Sequence, residues 1–278
     1  MMKNTKIYQS FNRSPFKSIK HSSYFSVYDK LFEKYQNKPL VFIEIGVLNG
    51  GSLFMWRDFF GKQAHIIGID LNPEALKWKE HGFDIFIGDQ SDSAFWQQII
   101  KKYPQIDVVL DDGGHTYEQQ IMTTELLKPY IVNGGLIVIE DTHTSYQKGF
   151  GFKSVSFLKY VHKKIDQLNY RLKSLRKEVT EKDIWNIQTF ESFVVFEIDR
   201  EKVKHQTIEV SNKGKTAQAH DFRYSQNKLT ESYINFAKKY FKFLEKSNFI
   251  RNLGRSIKYA LLTWPNIKSY LKTRKYFK

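Results

Sequence analysis

Between residues 40 and 141 the chain alternates two hydrophobic patterns. Runs with few polar interruptions are too short and too rich in β-branched residues for helices, and predict five strands: LVFIEIGV (40–47), HIIGIDL (65–71), FDIFIGD (83–89), IDVVLDD (106–112) and GGLIVIED (134–141). Between them SLFMWRDFF (52–60), SAFWQQIIKKY (93–103) and YEQQIMTTELLKPYI (117–131) carry apolar residues at helical spacing, the first closed by Gly61 and the second stopped before Pro104. Strands apolar on both faces and separated by helices make a parallel sheet covered on both sides. A basic helix over 152–179 and a hairpin over 184–199 follow, and the hairpin completes the sheet. The predicted fold class is α/β, a doubly wound, mostly parallel seven-stranded sheet with a basic helical C-terminal appendage.

The flanks read differently. Residues 1–36 form an N-terminal segment with a helix at 24–35 placed as a lid; residues 37–199 are the sheet domain. Residues 200–230 are polar and without periodicity, a linker, and 231–278 mix aromatics and cations at helical spacing. Of the formal charge of +15, a surplus of ten lies in 231–278, where twelve Lys or Arg face only Glu231 and Glu245. That tail admits a solvated face, peripheral contact with anionic lipid through Phe236, Tyr240, Phe241, Phe243, Phe249, Tyr259 and Trp264, or nucleic acid, the last without any recognisable binding module. The absence of cysteine excludes disulfides, thiolate metal sites and a cysteine nucleophile. With no apolar leader and no run of ~18 apolar residues, the expectation is a soluble cytoplasmic protein, at most peripheral at the inner membrane face.

Two constellations carry chemistry. EIGVLNGGS (44–52) puts Gly46, Gly50 and Gly51 between the first strand and its helix, where backbone can touch a ligand and Ser52 opens the helix. Glu44 suits a ligand bearing a cationic amine. Asp70, at the tip of the second strand, stands where an acid takes ribose hydroxyls, and Asp89 is the acidic tip of the third. With Asp111 they form a candidate nucleoside site.

The second constellation is LDDGGH (110–115) with IED (139–141). Asp112, Glu140 and Asp141 would share one sheet edge, and three uncompensated carboxylates there repel. A divalent cation removes that penalty, and oxygen donors favour Mg²⁺, Mn²⁺ or Ca²⁺, Mg²⁺ foremost. His115, after two glycines, is suited to proton abstraction near neutral pH.

The order ExGxxxGGS, GIDxxP, GDxxD resembles the S-adenosylmethionine site of class I methyltransferases, and DDxxH with GGxxxxED resembles the metal-dependent sugar O-methyltransferases of macrolide biosynthesis, a family that includes cephalosporin hydroxylase-like proteins. The resemblance spans about residues 20–198, from KHSSYFSVYDKLF to IQTFESFVVF. It implies that Gly46 and Gly50 line the methionine end, Asp70 the ribose and Asp89 the adenine, that Asp112, Glu140 and Asp141 ligate the metal, and that His115 is the general base. It implies a saccharide or glycan acceptor, lipid-linked if the tail binds membrane, and leaves oligomeric state open. A phenol or catechol acceptor, an RNA-binding methyltransferase and a scaffold without turnover stay as alternatives. His21 and Tyr24 are candidates for a lid over the cofactor, and His143 and Tyr146 for meeting the acceptor; Trp56, Trp78 and Trp96 are expected in the core.

Overall fold

The computed structural model describes residues 2–172, 175, 180–205, 207–215, 227–240 and 248–277. The chain divides into two compact units, Met1–Glu209 and Val210–Lys278.

The first unit opens with α1 (Lys6–Arg13) and α2 (Tyr24–Phe32). Asp29 of α2 accepts from the backbone N–H groups of Lys6 and Ile7, each at 2.9 Å, and so satisfies two of the donors that α1 leaves open at its start. There follow β1 (Leu40–Ile45), α3 (Gly51–Phe60), β2 (Ala64–Asp70), β3 (Asp84–Ile87), α4 (Ser93–Lys102), β4 (Ile106–Asp111), α5 (Tyr117–Leu127) and β5 (Ile131–Ile139). The unit continues with α6 (Phe157–Asn169), β6 (Ile184–Phe190), β7 (Phe193–Ile198) and α7 (Arg200–Lys204). Among the described residues these strands make one seven-stranded sheet in the order β3-β2-β1-β4-β5-β7-β6. β1 to β5 are parallel, and β7 runs antiparallel to β5 and to β6. The order reverses between β1 and β4, so a crevice opens at the carboxyl ends of those two strands.

Alternation along the strands builds two cores. Phe42, Val108 and Leu110 join Tyr28, Phe32 and Trp56 on one face. Ile43, Val109 and Ile137 join Trp96, Phe157 and Phe196 on the other. The three tryptophans expected in the core are there, each buried.

Several boundaries differ from the sequence expectation. α5 stops at Leu127 and a 3-10 turn carries Pro129, which cannot continue the helix, so β5 already begins at Ile131 rather than 134. A 3-10 run at Pro73–His81, capped by Asn72, fills the connection between β2 and β3 where no element was anticipated. α6 starts only at Phe157, after a 3-10 turn at Lys153–Val155; residues 173, 174 and 176–179 of the expected long helix lie outside the described residues.

The second unit contains α8 (Lys228–Tyr240) and α9 (Asn248–Thr273), joined where the Tyr233 hydroxyl donates to the Gly254 carbonyl at 2.9 Å. Residues 241–247 of the expected basic tail lie outside the described residues. No helix of the described residues is long and apolar enough to cross a membrane.

Candidate active site

A cleft of about 470 Å³ lies at the carboxyl ends of β1, β2, β4 and β5. The backbone around it is shaped by necessity at one glycine. Gly46 has φ +92°, and a Cβ there would lie 2.1 Å from the Asp112 carbonyl oxygen, so only glycine lets the ends of β1 and β4 come this close. Asp70 fixes the turn that follows: its Oδ2 accepts from the Val47 and Leu48 N–H groups at 2.9 Å each, and Oδ1 accepts from Asn72 at 2.8 Å. Gly46 and Asp70 both line the cleft.

The other candidates for the nucleoside site stand further back. Glu44 is fully buried beneath the turn, accepting from Ser52 Oγ and Trp56 Nε1 at 2.9 Å each, and burial pushes its carboxyl up to about 7. Gly50 caps α3 with φ +73°, packed so closely on Trp78 that a Cβ would collide with the indole. Gly51 is pressed against the Phe16 and Lys17 carbonyls of the N-terminal segment. Asp111 is buried, accepts from Gln90 Nε2 at 2.8 Å, and is shifted upward by burial. Asp89 is exposed, and its Oδ1 holds the Ser91 N–H and hydroxyl in a local turn. Its neighbours Gly88 and Gln90 are the residues that face the cleft.

At the opposite end Asp112, His115 and Asp141 converge, with one ligand atom from each within 4.8 Å of the others. His115 Nε2 lies 3.4 Å from Asp141 Oδ2, while Nδ1 is buried without a hydrogen-bond partner. Both residues are left-handed, at φ 58° and 52°, and so is Leu48 at φ 44°. Three non-glycine residues in that region around one cleft mark a backbone held against its local preference. Two carboxylates and an imidazole at the tips of neighbouring strands fit a divalent cation in charge and donor type.

Glu140 is placed differently. Its carboxylate is fully buried, with Oε1 accepting from the Tyr28 hydroxyl at 2.5 Å and Oε2 lying 3.1 Å from Lys20 Nζ. Lys20 Nζ also bonds Asp112, and Tyr24 donates to Asp141. Burial and then the Asp141 hydrogen bond push the Tyr24 phenol upward, so it stays a donor. The His21 ring lies tilted against Tyr24, with ring centroids 5.1 Å apart. His143 lies beside this group, its Nδ1 2.9 Å from Ser192 Oγ and 3.8 Å from Asp141 Oδ1, and Tyr146 is exposed.

Lys20, Tyr28 and Gln90 were not singled out from sequence. The spacing of Lys20, Tyr24 and Tyr28 at i, i+4, i+8 was the available signal: one face of a turn and helix with a cation and two phenols opposite an acidic edge.

The strand order, with a single reversed strand and a cleft at the β1/β4 reversal, is that of class I methyltransferases. Residues 43–142 match the family described as a methyltransferase domain. The chain is 35% identical over 131 residues to demethylmacrocin O-methyltransferase of Streptomyces fradiae, covering 45% of this chain and 33% of that protein. It is 37% identical over 135 residues to mycinamicin VI 2''-O-methyltransferase of Micromonospora griseorubida, covering 45% of this chain and 32% of that one. Among solved structures, the MycE methyltransferase of the mycinamycin biosynthetic pathway in complex with Mg, SAH and mycinamycin VI superimposes with a TM-score of 0.63 at 27% identity, over 72% of this chain and 55% of that one. The match thus spans about a third of the length of these two curated relatives.

Proposed function

We propose that the chain is an S-adenosylmethionine-dependent O-methyltransferase that acts on a hydroxyl of a sugar or glycan with a divalent cation, Mg²⁺ foremost. The observation that carries this reading is the convergence of Asp112, His115 and Asp141 at the cleft of a methyltransferase domain. Relatives named for methylation of macrolide and rhamnosyl-tetracenomycin sugars support the acceptor class, and the Mg and SAH in MycE support the cofactors.

Bound S-adenosylmethionine supplies an activated methyl group, and a bound divalent cation supplies a Lewis acid that makes a nearby hydroxyl more acidic. The residues do the rest. Gly46 and Asp70 hold the nucleoside end, with Asp70 offering its carboxylate to ribose. Asp112, Glu140 and Asp141, all lining the cleft, would hold the cation. His115 takes the hydroxyl proton at Nε2, since Nδ1 is enclosed, and the Asp141 carboxylate beside it stabilises the imidazolium that forms. Residues 1–36 act as the lid of the domain at 37–199, with Lys20, His21 and Tyr24 on the cleft wall. His143 and Tyr146 face the acceptor.

The test is methyl transfer from labelled S-adenosylmethionine to a panel of glycosides and phenols. Glycosides should be methylated and His115→Ala should abolish transfer while cofactor affinity changes little. Transfer to phenols alone would replace the acceptor class, and an active His115→Ala protein would move the base elsewhere.

The second unit supports a finer reading in which 231–278 lies on an anionic membrane and the acceptor is lipid-linked. In α9, Leu253, Ile257, Ile267 and Leu271 are exposed and recur along one side of the helix, and no acid occurs from 248 to the end, against eight Lys or Arg. Flotation with phosphatidylglycerol vesicles should carry the full chain but not one ended near 230; equal flotation of both removes the membrane role.

A further inference from the structure

Beyond β5 the chain leaves the cleft edge through residues 142–156, a connection with a fixed base and an apolar tip. The base is Tyr117, buried and two residues after His115. Its N–H donates to the Phe150 carbonyl at 2.9 Å, and its hydroxyl donates toward the Gln147 and Thr144 carbonyls at 3.0 and 3.2 Å. Gly151, at φ +144°, sits so close that a Cβ would lie 2.5 Å from the Tyr117 ring. The Thr144 hydroxyl donates to the His115 carbonyl at 3.2 Å, and Ser145 Oγ accepts from the Leu158 N–H at 3.2 Å. Phe157, fully buried, ends the connection.

What this base holds out is Phe152, 83% exposed, and Val155, 60% exposed. They stand three apart across the 3-10 turn that the Val155 N–H closes on the Phe152 carbonyl at 2.9 Å, and that spacing puts both side chains on one side. The charge around them selects the partner. From Thr142 to Ile165 there is no acid and there are five lysines, of which Lys148, Lys153, Lys159 and Lys163 are exposed. A neutral saccharide gives four ammonium groups nothing to neutralise. At an anionic bilayer, apolar side chains enter the headgroup boundary while lysines meet the lipid phosphates. We propose that residues 148–155 are a membrane-contacting loop: Phe152 and Val155 enter the headgroup layer of an anionic bilayer, Lys148 and Lys153 lie on its phosphates, and the base on Tyr117 holds the cleft beside that surface. The proposal rests on the membrane reading above and deepens it, since it puts a lipid contact in the first unit itself, in addition to 231–278. An acceptor anchored in the same bilayer then reaches His115 without leaving it.

The chain has no cysteine, so Phe152→Cys in the full chain takes a single nitrobenzoxadiazole label at the loop. Lys62→Cys, just before β2 at the opposite end of the sheet, takes the control label. With phosphatidylglycerol vesicles the label at 152 should shift to the blue and be quenched by doxyl-lipid, while the label at 62 stays unchanged; phosphatidylcholine vesicles should move neither. Unlabelled Phe152→Ser/Val155→Ser should partition onto phosphatidylglycerol vesicles at least about tenfold more weakly than wild type, because full burial of either side chain is worth that factor. Its methyl transfer to a water-soluble glycoside should match wild type, and absence of transfer in both proteins would remove the methyltransferase reading while the vesicle result still decides the loop. A silent label at 152 on a full chain that floats would overturn the loop and leave the membrane reading on the tail alone. A full chain that does not float would remove both. Equal responses of the two labels would mean unspecific adsorption, and a label at 152 that responds to the glycoside but not to vesicles would assign the loop to the acceptor; either overturns the proposal.

Discussion

Two partly buried charge clusters sit in the first unit, built from acids, lysines and tyrosines. On the flank, Glu125 and Glu181 meet Lys128 and Lys164: Lys164 Nζ lies 2.6 Å from Glu125 and 2.8 Å from Glu181, and Tyr160 donates to Glu125 at 2.7 Å. At the cleft, Asp112, Glu140 and Asp141 meet Lys20, with Tyr24 and Tyr28 as donors. The flank cluster is balanced, two acids against two cations. The cleft cluster has three acids against one lysine and a histidine, borders an open cavity, and rests on left-handed backbone at His115 and Asp141. The same chemistry closes on itself in one place and leaves acid in excess in the other. Surplus acid beside a cavity, more than burial or ion pairing, is what distinguishes a candidate site from a structural brace.

The comparison can be broken by experiment. The largest effect should come from the cleft: His115→Ala should lower methyl transfer to glycosides by at least about a thousandfold, at the upper part of the range for loss of a general base, with the melting temperature nearly unchanged. Lys164→Met should do the reverse, costing about 3–5 kcal/mol of stability by leaving Glu181 without its closest cation, with S-adenosylmethionine affinity unaltered in calorimetry. Gly46→Ala should cost at least about 2 kcal/mol, because a strained φ and a clash with the Asp112 carbonyl act together, and here stability and cofactor binding should fall together.

The smallest effect is on pH. Burial works to raise the Glu125 carboxyl, but Lys128, Lys164 and Tyr160 outweigh it and hold it down to about 2. A folded pKa below the unfolded one gives stability that is present above about 4.5 and lost as pH falls toward 2. Thermal melts of Glu125→Gln should therefore lose less stability than wild type over that interval, and parallel acid limbs would mean that the flank pair is without weight.

The sheet was legible because its strands are buried on both faces, and a parallel strand buried on both sides shows itself as an unbroken apolar run. β1 and β4 fall within two residues of their sequence-read ends. α1 was not legible: its apolar stripe is confined to Ile7, Tyr8 and Phe11 within eight residues, too short to stand out as a helical period, and its start is secured by Asp29 from another helix. The site divides in the same way. Asp112, His115 and Asp141 could be read as strand-tip groups because strand ends locate themselves. Glu44 and Ser52 were read as cofactor residues, while in the fold they bond each other beneath the turn. Which face of a strand tip a carboxylate takes is settled by packing partners such as Trp56 and Tyr28, and those are remote in sequence.

The most direct measurement is calorimetric titration of S-adenosylmethionine into the full chain with and without Mg²⁺, repeated on Asp141→Asn. The account predicts cofactor binding in both proteins and a metal-dependent heat that the variant loses. Cofactor binding with no metal effect in either protein would contradict the proposed catalytic arrangement of Asp112, His115 and Asp141, and no cofactor binding at all would contradict the methyltransferase activity itself.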